Sequence, residues 1–441
     1  TLALIVQSSV SETQDKTFST TYANAVYNVT RDLGSLADNL TISGKIDGNN
    51  ISTINMGNYQ GITIADANEL TIQNVKVTAN GTILNATSSN AQTTIDNAQI
   101  VGNIVNAGKV NIKGNSSANN ISGTGATVIE NSANAQIDSL TQNTLNNKGS
   151  LIVNALTITT SASNDGTITN NGTSSVIDLT NNTNATINGN GTLTISGTST
   201  NAGNISQTTL TNNGDFTNNG TLYASDKIVN SGTITTDASN INANNGIENN
   251  NSLTLNNGTL ASSITGTGKT NITGTGRNNA SISQNVNVAS TGKLTVVANI
   301  GNLTNNGEVF ANANNLTGSV NNAGTIALKG TLDKEIAGNG TTKVDNTLTL
   351  ATNAAISGTL DLNNGSINAS DSNYTTYNIN SITGSGNATI DVDWENAKAD
   401  TFKANSGNGN IALTLNGSTA DVFDTKTIQI TSGGVGISLA E

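Results

Sequence analysis

Two carboxylates, Asp391 and Asp393, have the spacing in this sequence that best fits a chemical function. They lie two positions apart in NATIDVDW (387–394), which alternates apolar and polar residues like a β-strand, so both side chains would lie on one face. Such a pair can bind Ca²⁺ or act as general acid and base. The alternative is a solvated strand face near Lys398 and Lys403. We favour it because no basic cluster for an acidic sugar accompanies the pair.

Other residues that commonly carry chemistry are missing or isolated. The 441 residues include no His and no Cys, which removes the usual general base, the thiol nucleophile, disulfides and thiolate metal sites. Asp66, Asp96 and Asp138 each stand among uncharged residues, which indicates turn or surface roles. The sequence therefore predicts no enzyme and no catalytic, cofactor-binding or metal-binding residue, and we expect no cofactor.

The charge balance limits the partners of the protein. Its net charge is −12, with only 17 Lys and Arg residues, so a basic surface for nucleic acid or anionic lipid is not expected. No stretch approaches the ~18 consecutive apolar residues of a transmembrane helix. We expect no nucleic-acid partner and no membrane insertion of this segment.

The elements that would position any site are short, repeated and rich in turns. Pro is absent, and Asn makes up roughly one residue in six. Two cassettes recur, Gly-Thr-(Leu/Ile) and Ile-x-Gly-x-Gly, between short alternating runs such as TLTISG (192–197). Low-complexity disorder is the alternative for such a composition, but it would lack these β-branched alternating runs.

The segment TLTNNGDFTNNGTLYAS (209–225) distinguishes the possible β-folds. Only three residues separate its two Asn-Asn-Gly triplets, which is too few for strands of a hairpin meander. Successive bends of a parallel β-solenoid fit, with Leu210, Phe216 and Leu222 pointing inward. Asn and Gly would supply positive φ at the bends, and stacked Asn side chains would form a hydrogen-bonded ladder. A β-sandwich array is the less favoured alternative.

Three regions differ along the chain. Residues 1–45 are least repetitive and predict an N-terminal cap with the first coils. Residues 46–380 form the repeat body. Residues 381–441 regain charge and aromatic residues and predict the last coils with a C-terminal cap or junction. The predicted fold class is therefore an all-β parallel β-solenoid with capped ends.

Several segments resemble the right-handed β-helices of bacterial autotransporter (type V secretion) passengers. They are LADNLTISGKIDGNN (36–50), ELTIQNVKVTANGTILNAT (69–87), GNGTLTISGTSTNAG (189–203) and GNATIDVDWENAKADTF (386–402). The resemblance spans most of the chain, although each motif by itself is common. It implies a right-handed β-helix at the bacterial cell surface and an outer-membrane β-barrel outside this chain.

The expected function is that of an extracellular adhesin or surface scaffold, acting through the polar face of a solenoid rod. Its partners would be surface glycans or proteins of the host or of bacteria, or copies of itself. The alternatives are a self-assembling subunit of a surface layer or filament and a β-helix enzyme acting on polysaccharides. Thr-x-Thr triplets, such as 192–194, also occur in ice-binding solenoids, but their irregular spacing along this sequence disfavours that function.

Overall fold

The structure is a computed structural model that describes residues 2–4, 16–19, 22–23, 25–29, 32–36, 38–417 and 427–439, with backbone only at 2–4 and 16–19. It is 65% strand and 1% helix and forms a parallel β-solenoid of about 18 turns. The predicted all-β solenoid is therefore confirmed. Much of the predicted N-terminal cap, and residues 418–426 and 440–441 of the predicted C-terminal cap, lie outside the described residues.

The chain divides into two compact units, residues 1–234 and 235–441. In the first unit, β1 to β13 are Leu2–Leu4, Lys16–Ser19, Val26–Val29, Gly34–Ser35, Leu40–Ser43, Ile46–Asp47, Asn50–Gly57, Ile62–Ile64, Glu69–Gln73, Val75–Ala86, Gln92–Asp96, Gln99–Asn106 and Lys109–Lys113. Strands β14 to β26 are Asn115–Ser122, Ala126–Ile129, Asn134–Asn147, Ser150–Asn164, Thr167–Asn181, Thr186–Asn188, Thr192–Ile195, Thr198–Asn201, Asn204–Gln207, Thr209–Asn212, Asp215–Asn218, Thr221–Ala224 and Ile228–Asn230.

Strand β27 is Thr233–Thr236, and the remaining strands belong to the second unit. Strands β28 to β39 are Ile241–Ala243, Ile247–Asn249, Ser252–Leu255, Gly258–Leu260, Ile264–Thr265, Lys269–Ile272, Thr275–Asn278, Asn285–Val288, Lys293–Val296, Leu303–Asn305, Glu308–Asn312 and Val320–Asn322. Strands β40 to β50 are Thr325–Leu332, Glu335–Ala337, Thr341–Leu350, Ala355–Asp361, Ser366–Asn368, Thr376–Thr383, Ser385–Asp393, Lys398–Ala399, Thr401–Gly407, Asn410–Gly417 and Gly436–Leu439. Short 3-10 helices lie at Ala238–Asn240 and Ala313–Asn315.

Stacked strands in each unit pair in parallel with the coil before and the coil after. In the first unit β20 pairs with β23, which places Leu193 beside Leu210. Side chains alternate between interior and surface along these strands, as a pleated strand requires. Leu210, Phe216 and Leu222 are all buried, so the prediction of the inward residues is confirmed.

An asparagine ladder runs through the interior of the first unit. The side-chain amide of Asn147 donates to Asn164 at 2.7 Å, Asn164 to Asn181 at 2.8 Å, Asn181 to Asn201 at 2.7 Å and Asn201 to Asn218 at 2.7 Å. All five side chains are buried. The predicted ladder is thus present, and it satisfies amide groups that would be costly to bury unpaired.

Three of the six Ile-x-Gly-x-Gly cassettes lie where a ladder of buried amides skips one coil. The amide of Asn106 donates to Gln142 at 2.7 Å, although one whole coil lies between these two residues. The intervening coil carries Gly123, and the amide of Gln142 donates to its carbonyl at 3.3 Å. Having no side chain, Gly123 leaves room for the longer Gln. Gln207 likewise accepts the amide of Asn170 across the coil of Gly189, and in the second unit Gln284 accepts that of Asn249 across the coil of Gly266. Their own amides donate to the carbonyls of Ser206 and Thr265.

The predicted role of glycine is only partly correct. Positive φ occurs at bends such as Asn74 and Gly123, as expected. Gly214 and Gly220, however, do not have positive φ. A Cβ on Gly214 would collide with the carbonyl oxygen of Gly197 in the coil below. These two glycines are required by the close approach of stacked backbones and not by their own torsion angles.

Candidate functional site

Two loops leave the regular coils of the second unit, one after β44 and one after its paired strand β46. The first, residues 369–375, connects β44 to β45. The second is the turn 394–397, which connects β46 to the short antiparallel strand β47 in a hairpin. We call these two segments the loop pair. They contain hydrogen-bond partners of both carboxylates of the motif, Ser372 for Asp391 and Asn396 for Asp393.

Asp400 holds the first loop to strand β46, which leads into the second. Its carboxylate is fully buried and accepts the backbone N–H of Thr375 at 2.8 Å and that of Asp391 at 2.7 Å. Burial raises the pKa of Asp400, and the two N–H donors act against this increase. Asp400 therefore positions the first loop and the strand that leads into the second.

Asp391 is buried, so the prediction that it lies on a solvated strand face is wrong. Its carboxylate accepts the backbone N–H of Ser372 and, at 2.6 Å, the side-chain amide of Asn416. Strand alternation correctly predicts that the Asp391 side chain points away from the solenoid interior. The first loop, however, folds over this part of β46 and covers it. The function of Asp391 in the structure is to hold that loop.

Asp393 remains partly exposed and has different partners. It accepts the side-chain amide of Asn396 at 2.7 Å and the backbone N–H of Asn396 at 3.0 Å. These hydrogen bonds lower the pKa of Asp393, and the charge of Lys398 lowers it further. Asp391 and Asp393 thus stabilise two separate turns and do not share a ligand-binding or catalytic arrangement.

Aromatic residues concentrate around the loop pair. Tyr374, Tyr377, Trp394 and Phe402 are four of the twelve aromatic residues in the chain (five Phe, six Tyr and one Trp). Tyr377 and Phe402 are buried and stack with ring centroids 5.9 Å apart, and the Tyr377 hydroxyl donates to the carbonyl of Leu350 at 3.1 Å. This pair forms an apolar base under the loops.

Tyr374 and Trp394 are the more exposed aromatic residues of this region. Tyr374 is 44% exposed, and Trp394 is half-buried. Desolvation raises the pKa of Tyr374, and the charges of Asp393, Asp391 and Asp400 raise it further. Its phenol therefore stays neutral at physiological pH and can donate a hydrogen bond. The loop pair presents two amphipathic rings beside an ionised carboxylate.

Sequence reasoning identified the carboxylates of this region but missed Asp400 and Tyr374 as members of the site. The available signal was the cluster of aromatic residues in a chain that otherwise has few. The three isolated carboxylates have simpler positions. Asp66 is exposed, Asp96 accepts the amide of Asn97 at 3.1 Å, and Asp138 is exposed and accepts the amide of Asn154 at 3.3 Å.

Stacked asparagines are also found on the surface. In the first unit Asn134 donates to Asn115 at 2.8 Å, and in the second Asn302 donates to Asn285 at 3.0 Å. The longest ladder, from Asn147, lies in the interior. Stacked asparagines therefore contribute both to the core and to the surface.

Within the described residues, no group of three or more acidic side chains is arranged to hold a metal ion. No helix in the same part of the chain has the length and apolar character needed to cross a membrane. The fold defines the class of the molecule as a parallel β-solenoid protein. No family model, curated protein or solved structure matches the chain.

Proposed function

We propose that the chain is the extracellular part of an autotransporter-like bacterial surface protein and acts as an adhesin or surface scaffold. Its partners would be glycans or proteins of host or bacterial surfaces, or copies of itself. Support comes from the parallel solenoid and from the low content of charged residues, 10% of the chain. A solenoid can present binding groups at fixed intervals on a rigid backing.

The loop pair is the observation that carries the adhesive function. Tyr374 and Trp394 are amphipathic rings of the type that is enriched in protein recognition sites. The buried carboxylates of Asp400 and Asp391 fix the first loop through backbone hydrogen bonds, and the partly exposed Asp393 fixes the second. Because the loops are already ordered by these contacts, binding would cost little conformational entropy. This arrangement suits a contact site on an otherwise repetitive surface.

Adhesion of beads coated with the purified chain tests this proposal. We expect the beads to bind epithelial or bacterial cells and the double variant Tyr374→Ala/Trp394→Ala to lose most of that binding. Phe310→Ala is the matched control, because Phe310 lies in β38 of the same unit and is 42% exposed, close to the 44% of Tyr374. Absence of binding by the wild-type chain would contradict the adhesive function. If the double variant bound as well as the wild-type chain, the contact site would lie elsewhere on the chain.

A further inference from the structure

Five successive coils of the first unit present a two-dimensional array of hydroxyl groups. Strands β16, β17, β18, β20 and β23 pair in parallel and in register. Each contributes two outward residues on either side of one buried residue. The array consists of Ser139 with Thr141, Ala155 with Thr157, Thr173 with Ser175, Thr192 with Thr194, and Thr209 with Thr211. We call these ten residues the hydroxyl array.

The nine hydroxyls of the array are free to bind an external partner. All ten residues are exposed or half-exposed, and none of the nine hydroxyls forms a hydrogen bond with another group of the described chain. Nearby hydroxyls outside the array behave differently. Thr159 donates to Asn143 at 2.8 Å, Thr169 to Asn188 at 3.0 Å and Thr208 to the carbonyl of Asn190 at 2.8 Å.

The geometry of the array is set by the backbone. Paired strands lie about 4.8 Å apart, and residues two positions apart on one strand are separated by about 6.6 Å. Leu140, Leu156, Ser174, Leu193 and Leu210 are buried beneath the five pairs and fix the strands. A well-packed interior holds such a surface at constant spacing. The array is therefore a rigid lattice of hydroxyl groups.

Loops of unequal length conceal this lattice in the sequence. From Thr141 to Thr157, Ser175, Thr194 and Thr211, the residue numbers increase by 16, 18, 19 and 17. The spacing is irregular along the chain but regular in space. The irregular spacing of Thr-x-Thr triplets along the sequence led us to disfavour ice binding, and that argument is wrong for this face.

We propose that the hydroxyl array binds ice. A hydroxyl both donates and accepts, so a lattice of them can hydrogen-bond to a lattice of water molecules, and the threonine methyl groups fill the spaces between. The spacing of the array between coils is close to the shorter repeat of oxygen atoms in hexagonal ice, and its spacing along a strand is somewhat shorter than the longer repeat. The array contains no charged residue to attract an ion and no ring for a sugar to stack on. A flat crystalline surface is the partner that engages all its hydroxyls together, and many weak contacts then add.

The array has defined ends in the first unit. On one side Asn120 and Ser122 precede Ser139 and Thr141, and their side chains donate to Asn103 and to the carbonyl of Ile104. On the other side Val229 lies opposite Thr211. The lattice of unpaired hydroxyls thus covers five coils, and substitutions at its centre should have the largest effect.

Inhibition of ice recrystallisation and thermal hysteresis of the purified chain test the proposal. The wild-type chain should inhibit recrystallisation, and Thr194→Lys, which places a long charged side chain on the lattice, should lose that activity. Thr194→Ser keeps the hydroxyl and should retain part of it. Thr186→Lys is the matched control, because Thr186 is half-exposed on β19, a different strand of the same coil as Thr194, and lies outside the array.

Three results would overturn the ice-binding proposal. They are no activity in the wild-type chain, equal activity of Thr194→Lys and wild type, and equal loss in Thr186→Lys. Circular dichroism melting curves establish that each variant folds. If Thr194→Lys instead abolished a dimer or the binding of an oligosaccharide without affecting ice, the array would be assigned to that partner. Adhesion assays on the loop-pair variants are independent of these outcomes.

Discussion

The buried carboxylates of the second unit act on backbone geometry. Asp400 accepts two backbone N–H groups, and Asp391 accepts one backbone N–H and one side-chain amide. Charged acceptors form stronger hydrogen bonds than neutral ones, which offsets part of the cost of burial. The first loop of the loop pair, which lacks repeat-like packing, is held in place in this way.

Stability of the second unit should fall as pH rises through the titration of Asp400. Burial raises the pKa of Asp400 in the folded state above its usual 3.8. A group with a raised folded pKa stabilises the fold fully below its unfolded pKa, and this contribution is lost as pH rises through the folded pKa. Urea unfolding between pH 3 and pH 8, followed by fluorescence of Trp394, the single Trp, measures the effect.

Asp400→Asn is the comparison for this measurement. The amide cannot ionise, so the difference in unfolding free energy between wild type and variant should shrink as pH rises above about 4. The variant should be less stable than wild type in acid. Each oxygen of the Asp400 carboxyl group accepts one backbone N–H, and the NH₂ group that replaces one of these oxygens cannot accept. If the difference in unfolding free energy instead grew with pH, the two N–H donors would stabilise the ionised form of Asp400 by more than burial destabilises it.

At the scale of the element, each coil is shaped by the coil beneath it. Glycines at equivalent bends stack so closely that Gly214 approaches the carbonyl of Gly197, and Gly232 approaches that of Gly214. Strand pairing, the asparagine ladder and these bends all repeat at the same interval. A change at one bend therefore alters contacts with two neighbouring coils.

Gly214→Ala should destabilise the first unit by about 2 kcal/mol, because its methyl group would collide with backbone that cannot move aside without breaking strand pairing. Gly81→Ala is the control, since a Cβ at Gly81 meets no atom within 4 Å and Gly81 is exposed. Denaturant unfolding of both variants measures the difference. Equal stability of the two would mean that the bend relaxes and that stacking does not require glycine there.

At the scale of the molecule, alternation and turn residues were sufficient to predict the solenoid. Leu210, Phe216 and Leu222 were identified as interior residues because strand periodicity depends only on local sequence. The position of Asp391 could not be derived in this way, since it depends on a loop that folds over its strand. The hydroxyl array was missed for a related reason: coils of unequal length bring its residues into register. The predicted boundaries at residues 45 and 380 stay predictions.

The low charge of the whole chain leads to a prediction about its proposed adhesion. Only 10% of residues are charged, and the candidate contact is made by two aromatic rings. Contacts between neutral groups are not screened by salt, whereas contacts between exposed charges weaken as the Debye length falls from about 14 to about 4 Å between ~0.05 and ~0.5 M salt. Adhesion of coated beads should therefore change by less than about twofold over this range.

The same bead assay over a series of NaCl concentrations measures this dependence. Beads coated with a basic protein of similar size supply a control that salt should strongly inhibit, because its binding to anionic cell surfaces is electrostatic. A comparable loss for this chain would assign its adhesion to the few charged groups around the loop pair, such as Asp393 and Lys398. The rings of Tyr374 and Trp394 would then contribute less than their exposure suggests, and the charge-removing variant Asp393→Asn would be expected to abolish binding.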